Sequence, residues 1–148
     1  MAAVFMLDTS CMVAAVCSWH EHHAPAAAEI ERRLARGERL AIPGPALVEA
    51  YAVLTRLPPP HRLSTTDAWT LVEANFVKPS RIVALAGAAY SAVLRSLAKQ
   101  SIAGGRAYDA VIAECARRSG AEALLTFNRR HFEPPPSGVS VVEPSLRA

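Results

Sequence analysis

Short apolar runs alternate with longer segments of helical periodicity along the whole chain. Val4 to Leu7 is a continuous apolar run that stops at Asp8, a pattern typical of a fully buried strand. Similar runs recur, and the sequence predicts strands at residues 4–7, 40–42, 81–85, 123–126 and 139–142. Helical spacing and helix breakers predict helices at residues 9–19, 25–36, 45–57, 64–76, 90–97 and 106–118, with a short helical turn at 128–132.

Strands that alternate with helices predict one α/β domain over residues 1–148, with a mostly parallel central sheet. Sites in open α/β sheets form beyond the carboxyl ends of the strands. Asp8 and the segment Phe127-Asn128 follow two such ends. We therefore look for chemistry at this edge of the sheet.

Local signals refine several of these elements. Thr9 or Ser10 is the expected cap of the first helix, because a hydroxyl accepts from an unpaired N–H group. Ser64 and Asp67 have the spacing of a capping box and open a later helix. A helix that carries Tyr90, Leu94 and Leu97 is expected to place all three in the core, and His131 is expected to pack beside Phe132.

Composition changes the picture little. The formal net charge is +3 and only two of the sixteen cations are lysines, so arginines that could contact phosphate are abundant. None of the three cysteines forms a CxxC pair. Cys11 and Cys17 lie in an apolar stretch, which favours small core residues in a reducing compartment. No signal peptide is evident, and the longest uncharged stretch, residues 82–94, is too short for a membrane span. These features predict a cytoplasmic protein.

Asp8 is one of three aspartates in the chain and ends a strand that reads as fully buried. A carboxylate beside a core is costly unless it is paired, hydrogen-bonded or bound to a metal. A helix cap is the simple structural interpretation, and a metal ligand is the functional one.

Three further oxygen-bearing side chains have the same two interpretations. Glu49 is the one charge in an otherwise apolar helix, either on a narrow exposed strip or pointed into a site. Asp109 lies in a first helical turn, where the helix dipole already favours it. Asn128 can cap the turn that follows it. Together with Asp8 they form a set of hard oxygen ligands that suits Mg²⁺ or Mn²⁺ and not zinc.

These residues resemble the PIN-domain family, and its VapC-like toxin branch in particular. The resemblance covers nearly the whole chain. It rests on the order and spacing of Phe-Met-Leu-Asp8-Thr9-Ser10, Pro45-Ala-Leu-Val-Glu49, Arg106-Ala-Tyr-Asp109-Ala110 and Leu124-Leu-Thr-Phe-Asn128-Arg-Arg-His-Phe132.

The resemblance implies a three-layer α/β/α sandwich around a parallel sheet. It implies that Asp8, Glu49 and Asp109 form a catalytic acidic cluster that holds Mg²⁺ or Mn²⁺, with Asn128 as a fourth metal-binding position. That position is often aspartate in the family, so the neutral Asn128 leaves open whether one or two ions bind. Thr126, with Thr9 or Ser10, is expected to support the cluster by hydrogen bonds.

The resemblance also implies an activity and partners. The expected protein is the toxin of a type II toxin–antitoxin pair, a metal-dependent endoribonuclease that forms a homodimer and binds a small antitoxin. Arg106, Arg117, Arg129 and Arg130 are candidates for contacts with the RNA backbone, or solvated surface.

Other functions fit less well. The alternative that stays open is a catalytically inactive PIN-like module that binds RNA or protein, which the neutral Asn128 favours weakly and the complete acidic set opposes. A haloacid-dehalogenase phosphatase needs an acid where Ser10 stands, and a receiver domain needs an acidic pair on the first strand. The segment 19–23, Trp-His-Glu-His-His, lacks the i, i+4 histidine pair of a helical zinc site and reads as an exposed turn.

Overall fold

The central sheet has five strands, all parallel, in the order β3-β2-β1-β4-β5. A computed structural model describes residues 2–147. The strands are β1 (Val4–Leu7), β2 (Arg39–Pro43), β3 (Arg81–Val83), β4 (Ala123–Leu125) and β5 (Ser140–Val142). The predicted α/β class and parallel sheet are confirmed.

Six α-helices connect and cover these strands within residues 2–147: α1 (Thr9–Val16), α2 (His23–Ala35), α3 (Gly44–Arg56), α4 (Thr65–Val72), α5 (Gly87–Lys99) and α6 (Arg106–Ser119). A π-helical turn at Glu73–Val77 extends α4, and a 3-10 turn at Arg129–Phe132 follows β4. The arrangement is that of a three-layer α/β/α fold. In the described part of the chain, no helix combines the length and apolarity that crossing a membrane requires.

The strand order determines where a site can form. The chain runs outward from β1 through β2 to β3, then returns to the other side of β1 as β4 and β5. Strand order therefore reverses between β1 and β4, which is where ligands bind in open α/β sheets. Leu7 pairs with Leu125, and the Asp8 amide donates to the Leu125 carbonyl at 3.1 Å. This register makes Asp8 and Thr126 direct neighbours at the carboxyl edge.

Two apolar clusters hold the layers together. The larger one surrounds β1, whose Phe5, Met6 and Leu7 are fully buried, as expected for the central strand of a sheet covered on both faces. The smaller one joins α1, α3 and α4 through residues such as Leu54 and Val72. Cys11, Cys17 and Cys115 are buried free thiols, which confirms the prediction that Cys11 and Cys17 are core residues.

Several boundaries differ from the sequence prediction. α1 ends at Val16 and not near Trp19. Its cap is Asp8 and not Thr9 or Ser10, because extended backbone at Asp8 lets its carboxylate accept from the Cys11 amide at 3.0 Å. The α-helix that begins after the Ser64 cap ends at Val72, where the π-helical turn takes over, and not at residue 76.

One predicted core position is wrong. Leu94 is 57% exposed, whereas Leu97 on the same helix is buried. The buried stripe of α5 is narrow, with Ala89 and Leu97 as its fully buried members. Leu94 lies at the edge of that stripe, although its spacing from Tyr90 and Leu97 is helical.

Candidate active site

Asp8 is the most buried carboxylate at the carboxyl edge, with 3% of its surface exposed. One oxygen accepts from the Ser10 hydroxyl at 2.6 Å and from the Cys11 amide at 3.0 Å. The other accepts from the Thr126 hydroxyl at 2.5 Å. These bonds fix the carboxylate where β1 passes into α1, so the cap and the site share one side chain.

Hydrogen bonds do not fully compensate the charge of Asp8. Burial raises its pKa above the ordinary value, and the bonds from Ser10, Thr126 and Cys11 lower it only in part. The negative charge of Asp109 raises the pKa further. The three groups that donate to the carboxylate are all uncharged.

The supporting hydroxyls also link the two strand ends. The Thr126 oxygen accepts from the Asn128 amide at 2.9 Å, and the Ser10 oxygen accepts from the Phe127 amide at 3.1 Å. The segment after β4 is therefore attached to the same two hydroxyls that hold Asp8. The expected supporting role of Thr126 and Ser10 is borne out by these bonds.

Glu49 faces the same cleft and does not lie on an exposed strip. It occupies the second turn of α3, the helix that begins directly after β2. Its carboxylate accepts from the Thr9 hydroxyl at 2.6 Å. Of the two expected hydroxyls in the first turn of α1, Ser10 thus supports Asp8 and Thr9 orients Glu49.

Asp109 lies in the first turn of α6, and one oxygen is 3.2 Å from Nδ1 of His131. Burial raises the pKa of Asp109, and the charge of Glu49 raises it further. His131 and Arg106 lower it in part. Asp109 thus raises the pKa of Asp8, and Glu49 raises the pKa of Asp109, because a neighbouring negative charge opposes ionisation.

The contact with His131 corrects a prediction, since this residue was expected to pack beside Phe132. Its side chain is 46% exposed and faces Asp109. No local pattern indicates this pairing, because α6 and the 3-10 turn after β4 are brought together only by the fold.

All four residues selected from the sequence line one open cleft of about 440 Å³. Its wall contains Asp8, Glu49, Asp109 and Asn128, together with Thr9, Ser10, Val53, Gly105, Arg106 and His131. Asn128 occupies the N-cap position of the 3-10 turn, as predicted, but its side chain makes no capping hydrogen bond. Tertiary structure thus brings together side chains that are up to 120 positions apart in the sequence.

The candidate arginines differ in position. Arg106 lines the cleft at the start of α6. Arg117 is bound to the Glu114 carboxylate at 2.7 Å and is not among the residues that line this cleft. Arg129 and Arg130 are exposed on the 3-10 turn that follows Asn128.

The donor set suits a hard divalent cation, although it is not arranged around one. Within residues 2–147, no group of three or more His, Cys, Asp or Glu side chains is already positioned to hold an ion. Each acid instead binds a protein partner: Asp8 binds Ser10 and Thr126, Glu49 binds Thr9, and Asp109 binds His131. Three carboxylates and an amide remain the chemistry that Mg²⁺ and Mn²⁺ prefer.

Comparison with known proteins agrees with this geometry. The family model described as PIN domain matches residues 5–134. The chain belongs to the PIN domain family. Divalent-metal dependence is a general property of the nucleases in this family.

Two relatives are similar to this chain over most of its length. Ribonuclease VapC40 of Mycobacterium tuberculosis is 38% identical over 126 residues, which cover 85% of this chain and 87% of the relative. Ribonuclease VapC27 of the same species is 36% identical over 116 residues, or 78% of this chain and 79% of the relative.

Solved structures share the fold at lower identity. VapC20 of M. tuberculosis, described as a Sarcin-Ricin loop cleaving toxin, superposes with a TM-score of 0.69 at 16% identity, covering 92% of this chain and 98% of that one. VapBC2 of Rickettsia felis, solved with a DNA fragment from its promoter, has a TM-score of 0.68 at 19% identity, covering 96% and 99%. These two likenesses concern the fold.

Proposed function

We propose that this PIN domain is the toxin of a type II toxin–antitoxin pair and hydrolyses RNA phosphodiester bonds internally with a divalent metal ion. One observation carries the proposal. Asp8, Glu49 and Asp109 converge with Asn128 on one cleft at the switch point of the sheet, in a chain 38% identical to Ribonuclease VapC40. We take residues 1–148 as a single nuclease domain.

Asp8, Asp109 and Glu49 would hold Mg²⁺ or Mn²⁺, with Asn128 contributing its amide oxygen. A bound divalent ion offsets the charge of the phosphodiester, acidifies a water molecule and stabilises the leaving oxygen. The raised pKa values of Asp8 and Asp109 support this assignment, because a cation relieves the repulsion that helps to raise them.

The residues of the chain have separate tasks in this proposal. Asp8 is held rigidly by its three hydrogen-bond donors, and Thr9 orients Glu49. His131 Nδ1, 3.2 Å from one Asp109 oxygen, positions that carboxylate at the cleft. Arg106, at the side of the cleft, can bind a phosphate that flanks the scissile one, because its guanidinium pairs with two phosphate oxygens.

The partners follow from the same assignment. We expect a homodimer that a small antitoxin inhibits by placing an arginine or lysine among the acids, since a cationic side chain can replace the charge of the metal. Such a complex would act in the cytoplasm, where its RNA substrate is found. Co-expression with the neighbouring reading frame should restore growth and yield a stable complex.

Cleavage of structured RNA tests the proposed activity. The wild-type protein with Mn²⁺ should cut the RNA internally, and EDTA should stop the reaction. Asp109→Asn should lower the rate by about 100-fold or more, because it removes a charge from the cluster with little change in shape. Asp67→Asn is the matched control, since Asp67 also lies in the first turn of a helix but is exposed and far from the cleft.

Metal binding separates the enzyme from the inactive module. Calorimetry with Mn²⁺ should show binding to the wild type and none to Asp8→Ala, with circular dichroism to verify the fold of both. Equal rates for Asp109→Asn and Asp67→Asn, together with Mn²⁺ binding that survives Asp8→Ala, would leave the inactive RNA- or protein-binding module as the better interpretation.

A further inference from the structure

Five aromatic rings form a continuous row that begins at the rim of the acidic cleft. In order they are Phe127, His22, His20, Trp19 and His61, and we call this set the aromatic row. The first pair is stacked with centroids 4.4 Å apart, and the last pair is stacked at 3.9 Å. The two intervening pairs are tilted, with centroids 5.7 and 5.8 Å apart.

The row adjoins the acidic cleft directly. A neighbouring depression of about 390 Å³ is lined by His20, His22 and Phe127. It shares Thr9, Ser10, Val53 and Asn128 with the wall of the acidic cleft. A polymer bound across the acids can therefore continue onto the rings.

The loop that carries three of these rings is well anchored. The His20 amide donates to the Cys17 carbonyl at 2.9 Å, and the His22 amide donates to Nδ1 of His20 at 3.0 Å. Nδ1 of His23 lies 2.9 Å from the Ala14 carbonyl. At the other end, Phe127 is attached through its amide to Ser10. The rings thus form a preorganised surface.

The rings are also accessible. Trp19 is 46% exposed, and the side chain of His22 is 43% exposed. The exposed parts of Trp19 and His22 do not pack against the rest of the loop, so they are available to a ligand. Exposed aromatic surface of this kind can stack on a base, and such stacking tolerates any base.

We propose that the aromatic row stacks unpaired bases of the RNA strand whose backbone crosses the acidic cleft. The inference rests on the proposed function and specifies its substrate as RNA that is single-stranded beside the cleavage point. Bases within a duplex already stack on one another and cannot use the row. Arg129 and Arg130, which follow Asn128, favour an anionic backbone here, whereas the exposed Glu21 opposes it.

Two tryptophans provide a matched pair for the test, because Trp19 is 46% exposed and Trp69 on α4 is 47% exposed. Binding of a labelled single-stranded RNA is measured in EDTA, where no cleavage occurs, beside a duplex of the same sequence. Trp19→Ala should weaken single-strand binding by about fivefold to 100-fold, the range of one lost base stack. The affinity of Trp19→Ala for the duplex should equal that of the wild type. Trp69→Ala should bind both the single strand and the duplex as tightly as the wild type does.

Fluorescence separates stacking from loss of structure. In Trp69→Phe the remaining tryptophan is Trp19, and single-stranded RNA should quench its fluorescence whereas the duplex should not. Trp19→Phe should retain most of the affinity because it preserves a stacking face. Melting temperatures of all variants show whether any of them is unfolded.

Two results would overturn the aromatic row as an RNA surface. One is equal single-strand affinity for Trp19→Ala and Trp69→Ala with no quenching of Trp19. The other is a Trp19→Ala variant that binds RNA as well as the wild type does but binds the protein from the neighbouring reading frame more weakly. That result would make the row a protein interface. Cleavage by the wild type with Mn²⁺ is measured separately, so the nuclease proposal stands or fails independently.

Discussion

The Thr126 hydroxyl connects the stability of the fold with the charge of the site, so Thr126→Val perturbs both. The side chain is fully buried, donates to Asp8 at 2.5 Å and accepts from the Asn128 amide at 2.9 Å. Valine keeps the shape and loses both bonds. A hydrogen bond to a charged group contributes about 1.5–3 kcal/mol and an ordinary one about 1 kcal/mol. We therefore expect the free energy of unfolding to fall by about 2–4 kcal/mol.

The size of this loss should depend on pH. The bond from Thr126 lowers the pKa of Asp8, so the pKa of Asp8 is higher still in the variant. The folded variant then binds a proton more tightly than the folded wild type, while the unfolded chains are alike. The difference in stability between the two proteins should shrink as the pH falls and Asp8 becomes protonated.

Urea denaturation in EDTA at pH 7.5 and pH 4.5 measures both effects. Thr126→Ser retains the hydroxyl and should lose less stability. Thr9→Val is the matched control, because it removes a hydroxyl from Glu49, a half-buried carboxylate that water can reach. If Thr126→Val costs no more than Thr9→Val, or costs the same at both pH values, the argument from a buried and charged Asp8 is refuted.

Two further predictions concern Asp8 and the core. Burial raises the pKa of Asp8, so its contribution to stability is greatest in acid and is lost as the pH rises through the pKa of the folded state. Asp8→Asn lacks this titration, and urea denaturation in EDTA should show the stability of the variant rising relative to wild type between pH 4.5 and 7.5; a constant difference would contradict it. Leu54→Ala empties a fully buried position and should cost about 2–5 kcal/mol, whereas Val48→Ala at a 70% exposed position should cost under about 0.5 kcal/mol by the same assay. If Leu54→Ala lost as little stability as Val48→Ala, the smaller apolar cluster around Leu54 would contribute little to the free energy of unfolding.

The class of the fold was predictable because each strand carries its own signal. A fully buried parallel strand is apolar on both faces, so the run from Val4 to Leu7 is recognisable without knowledge of its neighbours. Helix ends were less predictable. Asp8, Thr9 and Ser10 can all cap a helix, and the choice of Asp8 depends on the extended backbone that pairing with β4 imposes. The exposed Leu94 shows the same limit, because the width of a buried stripe depends on what the helix covers.

The four cleft residues were selected from chemistry and from a family resemblance, and the structure places them on one wall. What the sequence left open was the orientation of each side chain. Glu49 could equally have faced water, and its contact with Thr9 decides that it faces the cleft. The pairing of His131 with Asp109 was missed because it joins α6 to the 3-10 turn after β4, two segments without a local signal for each other.

The sequence by itself determined the parallel α/β architecture, the apolar central strand and the isolated acids, because these depend on periodicity and on the cost of charge beside a core. Tertiary structure alone decided the strand order, the hydrogen-bond partners that orient Asp8, Glu49 and Asp109, and the aromatic row from Phe127 to His61. The physical reason is that local pattern sets which face of an element is buried, whereas strand register and helix packing set which distant side chains meet.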